Sequence, residues 1–290
     1  MSVAKPAHSR ELSQDDIEKV VKTINIPACP AIVMKVMSEA QRDEPNLNSL
    51  SRSIAADPAM VATVLKFANS PLFRGGASVT NVRKALDRLG TRNIVCVVVA
   101  AALRASMSGV PPAFIEQFWA RTSFLADIAG QIARRQDGVP ADAAFTYALF
   151  HNAGVPLMAR RFPDYLELIA TCRASGRLLV EAEGELLPCT HPVIGSIMVN
   201  TWGLPPMVGQ AIRCHHEDQL YDWPDTALPA GTLSLIAVTQ IAERLISEMN
   251  HEDDLEVGAA LFERATAHFG IDEQDLDELR DTLRASQLQS

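Results

Sequence analysis

Four histidines in the second half of this 290-residue chain are the side chains best placed to do chemistry: His151, His191 and the adjacent pair His215 and His216, the pair being followed by Glu217 and Asp218. Neutral imidazoles suit zinc or nickel, and carboxylates beside them would hold a harder ion and lower the pKa of its bound water. Each histidine also has a plainer reading. His151 lies in "LFHNAGVP", where Gly154 and Pro156 mark a helix C-terminus and a last-turn histidine meets exposed carbonyls. His191 follows Thr190, an N-cap candidate, and precedes Pro192. His215 falls on an apolar stripe with Val208, Ala211 and Ile212, which fits a core imidazole as well as a cleft. Neighbours on a helix point about 100° apart, so His215 and His216 suit a cleft wall better than a one-sided grip on an ion. Spacing alone leaves the choice open.

The usual enzyme signatures are absent: there is no GxxxxGKS loop, no GxSxG elbow and no HExxH. Five scattered cysteines without a CxxC pair argue against disulfides and zinc knuckles, and fit a reducing cytoplasm. A net charge of −9 without a Lys/Arg stripe leaves little to neutralise a phosphate backbone, so no direct nucleic-acid binding is expected. The longest apolar run, Ile94 to Leu103, is far short of the ~20 residues a membrane span needs, and the N-terminus lacks a signal-peptide core.

The elements that must position the histidines are helices. Stripes at helical spacing run through Ile32, Val33, Val36, Met37 and Ala40, through Met60, Val61, Val64, Leu65 and Ala68, and through Val82, Ala85, Leu86 and Leu89 up to Gly90. Ser13 with Asp16 reads as a capping box, and Asp57-Pro58 as an N-cap followed by proline at the first helical position. Ile94 to Leu103 is ambiguous, because Val97, Val98 and Val99 favour a strand while the following alanines favour a buried helix; helix is the preferred reading. Further stripes follow at Leu125 to Ile132, Ile194 to Thr201, Val208 to His215 and Leu233 to Arg244. Val257, Leu261, Ala265, Leu276, Leu279 and Leu283 then make two acidic amphipathic helices that either pack on the body or mediate association. Gly109 and paired prolines near 106–112 suggest a hinge.

The pieces "IPACPAIVMKVM", "IAADPAMVATVLKFANSPLF", "VRKALDRLGTRNI", "ALFHNAG", "HPVIGSIMVNTWGLPPMV" and "AIRCHHE" resemble, in order, the motifs of the HDOD family. That family is the HD-related output domain of bacterial signalling, a divergent branch of the HD metal-phosphohydrolases. The resemblance spans roughly residues 20 to 245. It implies an all-α, two-lobed fold: residues 1–14 a flexible lead, 15–108 an N-terminal lobe, 109–249 an HD-like lobe and 250–290 the acidic helices.

The same resemblance implies that the chemistry is degraded. Catalytic HD proteins use a first histidine, the HD dyad and a final aspartate; the matching positions here are Arg121 or Thr122, His151-Asn152, and Gln240. Only one of those four ligands survives. Asn152 removes a negative charge, Gln240 removes another, and Arg121 would repel a cation if it points inward. No catalytic residue, no metal and no cofactor are therefore expected; a stray transition ion would fall to His151, His191, His215 and His216. Asn152, Gln240 and the histidines would then form a hydrogen-bonded plug in the degenerate cleft. The expected function is a cytoplasmic, non-enzymatic module of two-component and related signalling that binds a protein partner and no membrane. The competing expectations are a residual metal-dependent phosphohydrolase or phosphodiesterase, and a nucleotide sensor using Arg121 and the histidines.

Overall fold

Three helix starts in the first half are built from short polar side chains, Asn46, Asp57 and Asn81, that satisfy otherwise unbonded backbone N–H groups. The computed structural model describes residues 24–252 and 254–287, and among these no strand occurs. The Ser13 capping box and the 1–14 lead lie outside the described residues. Helix α1 is Ala31–Ala40 and α2 is Leu47–Ala55, the latter capped by Asn46, whose side chain accepts from the Asn48 and Ser49 N–H groups. Helix α3, Pro58–Ala68, starts as its sequence predicts: Asp57 accepts from the Ala59 and Met60 N–H groups and Pro58 takes the first turn.

Helix α4, Val82–Ala105, contains the ambiguous apolar run. Gly90 breaks it with φ of 73°, a left-handed conformation that glycine adopts without a Cβ penalty, and the chain resumes as helix through Val97, Val98 and Val99. All three valines are fully buried, so core packing on every side overrides their strand preference. After the turn at 106–111 come α5 (Pro112–Ala133), α6 (Ala141–Phe150), α7 (Gly154–Arg161), α8 (Tyr165–Ser175), α9 (Leu179–Leu186), α10 (His191–Thr201) and α11 (Pro206–Cys214). A 3₁₀ turn at Leu220–Asp222 leads to the long α12 (Thr232–Asn250), followed by α13 (Gly258–Phe269) and α14 (Glu273–Gln287).

Helices α5 and α6 form the most extensive pair, and α12 packs against both. One continuous apolar core runs from Val33 in α1 to Leu283 in α14. The acidic tail helices pack on α12, burying Leu261, Ala265, Leu276, Leu279 and Leu283. No helix among the described residues is long and apolar enough to cross a membrane.

Two readings of the sequence are corrected. Gly154 and Pro156 do not close a helix: α6 ends at Phe150, three residues turn, and Gly154 opens α7 with Pro156 in its first turn, where a missing N–H costs no hydrogen bond. On α3 the inward stripe is Met60, Val64, Phe67 and Ala68, whereas Leu65 is half-buried. Ile212, by contrast, is fully enclosed. Truncating Ile212 to Ala should lower stability by about 2–5 kcal/mol, as core cavities do. Leu65→Ala should cost clearly less, and urea unfolding of the two variants side by side checks the difference.

Candidate functional site

The cleft where the histidines meet lies between the ends of α6, α10 and α11 and the middle of α12, and two buried glutamates organise it. In the first half of the site His151 caps α6. Its Nδ1 sits 2.8 Å from the Ala148 carbonyl, which can only accept, so Nδ1 donates. Its Nε2 is 3.1 Å from Glu243 Oε1 on α12. Both ring nitrogens of His151 are thus engaged within the protein, one by a backbone carbonyl and one by a carboxylate.

Glu243 is buried, and its other oxygen accepts from Arg121 Nη1 on α5. Arg121 also donates to Ser247 Oγ at 3.1 Å. Burial alone would raise the Glu243 pKa, but the Arg121 guanidinium and His151 outweigh it and hold the carboxyl down at about 2. The same pairing raises Arg121 against the lowering effect of burial. Arg121 does point inward, as considered from the sequence, but it is matched to a carboxylate that the resemblance did not mark.

The second half of the site contains three imidazoles, and no arginine or lysine bonds them among the described residues. His191, fully buried, opens α10, and Thr190 makes no side-chain cap. The cap comes instead from Glu183 of α9, whose Oε2 accepts at 2.8 Å from both the His191 backbone N–H and Nδ1. Tyr165 donates to the other Glu183 oxygen. His215 caps α11 with Nδ1 at 2.7 Å from the Ile212 carbonyl, and its Nε2 is buried without a partner. His191 Nε2 and His216 Nε2 face each other at 3.1 Å. Glu256, from the loop after α12, approaches His216 Nε2 at 3.4 Å. Burial first, and the neighbouring histidines second, lower the pKa values of His215 and His216 well below the ordinary range, so both rings are neutral. His191 is raised, the Glu183 carboxylate outweighing burial.

Close packing makes the arrangement reachable. A Cβ on Gly154 would stand 2.0 Å from the His191 carbonyl oxygen, so only glycine lets α7 lie against the start of α10. The His151 ring stands 5.7 Å, centroid to centroid, from His215, but among the described residues the group whose ligand atoms all fall within 4.8 Å of one another is His191, His215, His216 and Glu256.

The remaining expected residues divide differently from the plug inferred from sequence. Gln240 accepts from Tyr221 Oη at 2.6 Å and donates to the His215 carbonyl at 2.8 Å, with no bond to Asn152. The Asn152 Oδ1 is buried without a partner. A hydrolytic metal does not fit the His151-Asn152 half, because the imidazole is spent on Glu243 and Arg121 carries a positive charge into the same pocket. The ligand set of the other half does fit a single transition ion.

A family model, the HDOD domain, matches residues 26–218. A curated relative, an uncharacterized protein of Treponema pallidum (strain Nichols), is 23% identical over 196 residues; that match covers 66% of this chain but only 38% of the relative. The crystal structure of a candidate phosphohydrolase from Shewanella amazonensis SB2B superposes with a TM-score of 0.67 at 22% identity, covering 93% of this chain and 94% of that one. An HDOD domain protein of unknown function from Geobacter sulfurreducens gives 0.67 at 18%, covering 94% and 96%. A candidate signal transduction protein from Marinobacter aquaeolei VT8 gives 0.68 at 20%, covering 93% of this chain and 59% of that one. At these identities the structural likeness speaks for the fold.

The Glu243 pairing has a pH signature. Its folded pKa lies below the ordinary 4.5, so the pairing contributes fully above about pH 4.5 and is lost as pH falls through 2. Glu243→Gln should destabilise the protein at neutral pH by on the order of 3 kcal/mol. It should also flatten the stability decline between those two pH values, measured by urea unfolding across the range.

Proposed function

The chain belongs to the HDOD domain family, and from that premise we propose that it is a non-catalytic regulatory module of bacterial signal transduction that works by binding a protein partner. The observation that carries this reading is the Arg121–Glu243–His151 charge chain. Hydrolysis of a phosphoester by an HD-type site needs anionic oxygens gathered on metal ions. Here a guanidinium lies at one of the two matching positions, Arg121 or Thr122, the dyad's second residue is the neutral Asn152, and the carboxylate that meets His151 is already paired with Arg121. The three groups tie α5, α6 and α12 together, which suits a scaffold better than a reaction centre.

A groove of about 490 Å³ between α3 and α5, on the N-terminal side, supports a protein contact there. Lys66, Arg74, Phe67 and Phe124 line it. Two cations and the half-buried Phe124, set against the one carboxylate of Asp127, leave the groove lining net positive on a chain of net charge −9, which favours an acidic segment with an apolar anchor.

The enzymatic alternative is tested by supplying manganese, iron or zinc to the purified chain and to Asn152→Asp, then assaying a generic phosphodiester and cyclic nucleotides. No turnover above buffer is expected from either protein, since restoring one carboxylate leaves Arg121 in place. Metal-dependent turnover in either would overturn the non-catalytic reading. The partner reading is tested by crosslinking in the native bacterium: wild type should capture a defined signalling protein and Lys66→Glu/Arg74→Glu should lose it. Equal capture by both would rule out this groove as the contact.

A further inference from the structure

We propose that His191, His215, His216 and Glu256 bind one zinc-class transition ion, and that this ion acts as a structural clasp holding the loop after α12 to the ends of α10 and α11. The sequence alone points to no cofactor; the side-chain arrangement points to this one. The site adjoins the Arg121–Glu243–His151 chain, with the His151 and His215 ring centroids 5.7 Å apart, but it uses none of those three side chains and does not depend on the regulatory reading.

The donor atoms are already prepared. His191 gives its Nδ1–H to Glu183 and His215 gives its Nδ1–H to the Ile212 carbonyl, so in both rings the lone pair is on Nε2. Glu183 behind His191 is the carboxylate–histidine pairing that orients a metal ligand and raises its basicity. His215 Nε2, His216 Nδ1 and Glu256 Oε2 are all buried without a hydrogen-bond partner. A proton shared across the 3.1 Å between the His191 and His216 Nε2 atoms would pair those two nitrogens alone, leaving His215 Nε2, His216 Nδ1 and Glu256 Oε2 unmatched. A cation would take one ligand atom from each of the four side chains at once.

Size and charge point to the same class of ion. Four ligands at about 2.0–2.1 Å in a tetrahedron stand about 3.3 Å from one another. The four atoms here lie within 4.8 Å, so side-chain shifts of roughly an ångström would close the site around an ion. Three imidazoles and one carboxylate select zinc, cobalt or nickel over magnesium or calcium, which prefer all-oxygen shells. With Glu183 in contact, the two carboxylates balance the ion's double positive charge. Four protein ligands complete the tetrahedron and leave no open position for substrate, which is the pattern of a structural site.

The loop that brings Glu256 is itself built. The Asp254 carboxylate accepts from the N–H groups of Glu256, Val257 and Gly258, and Arg244 on α12 bonds Asp254 at 3.2 Å. The Leu255 carbonyl accepts from Leu179 N–H at the start of α9. The ion would therefore connect α13, which begins at Gly258, to the histidine helices.

The test uses the full chain, purified without a polyhistidine tag and without chelators. Elemental analysis after zinc addition and dialysis should find one ion per chain, and cobalt substitution should give the intense visible absorption of a tetrahedral site. Zinc should raise Tm and slow proteolysis between α12 and α13. Glu256→Gln, a nearly isosteric change at a half-buried loop residue, should weaken zinc binding at least tenfold and abolish the protection of that loop. His216→Asn should weaken binding at least as much. Failure of wild type to retain zinc would overturn the site, and full-affinity zinc binding by Glu256→Gln would overturn the clasp.

Discussion

A carboxylate enclosed by apolar helices must be neutralised where it stands, and the cleft of this protein is arranged around that demand at Glu243. Removing a charge from water is unfavourable by several kcal/mol unless a counter-charge and hydrogen bonds replace the solvent. Arg121 and His151 supply both, from two different helices, so the side chain that would destabilise the fold alone becomes the contact joining α5, α6 and α12. The consequence is chemical. The His151 imidazole is engaged by a carboxylate and a carbonyl, and a guanidinium lies on the other oxygen of the same carboxylate.

Glu183 answers the same demand differently. It is enclosed as fully as Glu243, yet its partners are Tyr165 and both N–H donors of His191, with no arginine among them. The result is an imidazole held with its lone pair turned into the cleft. The approach of α7 to α10 at Gly154 and the caps at His151 and His215 then fix where the rings stand. One type of cleft thus separates into a half closed by a charge chain and a half lined by unmatched donors.

The parts of this arrangement legible in the sequence are those set by local chemistry. Asp57-Pro58 and Gly90 announce helix boundaries because capping and left-handed backbone depend on a few adjacent residues. The histidines and Arg121 are visible through the order of motifs. Glu243 lies three residues beyond Gln240, hence near the same face of α12, and that spacing is the available signal for it. Glu183 sits in the acidic run "VEAEGE", which reads as a solvated face, and Glu256 in a charged break between helices. Neither position is marked locally, because each is decided by long-range packing. The helix start at Gly154 is hidden for a related reason: glycine and proline mark a boundary, but only the tertiary contact with His191 says that a new helix begins there.

Anomalous diffraction from crystals grown with manganese and, separately, with zinc tests the central claim most directly, since it locates ions without reference to activity. The account predicts no anomalous peak within bonding distance of His151 or Asn152 for either metal, with Arg121 still joined to Glu243. A peak bridging His151 and Asn152, with Arg121 swung away, would contradict it.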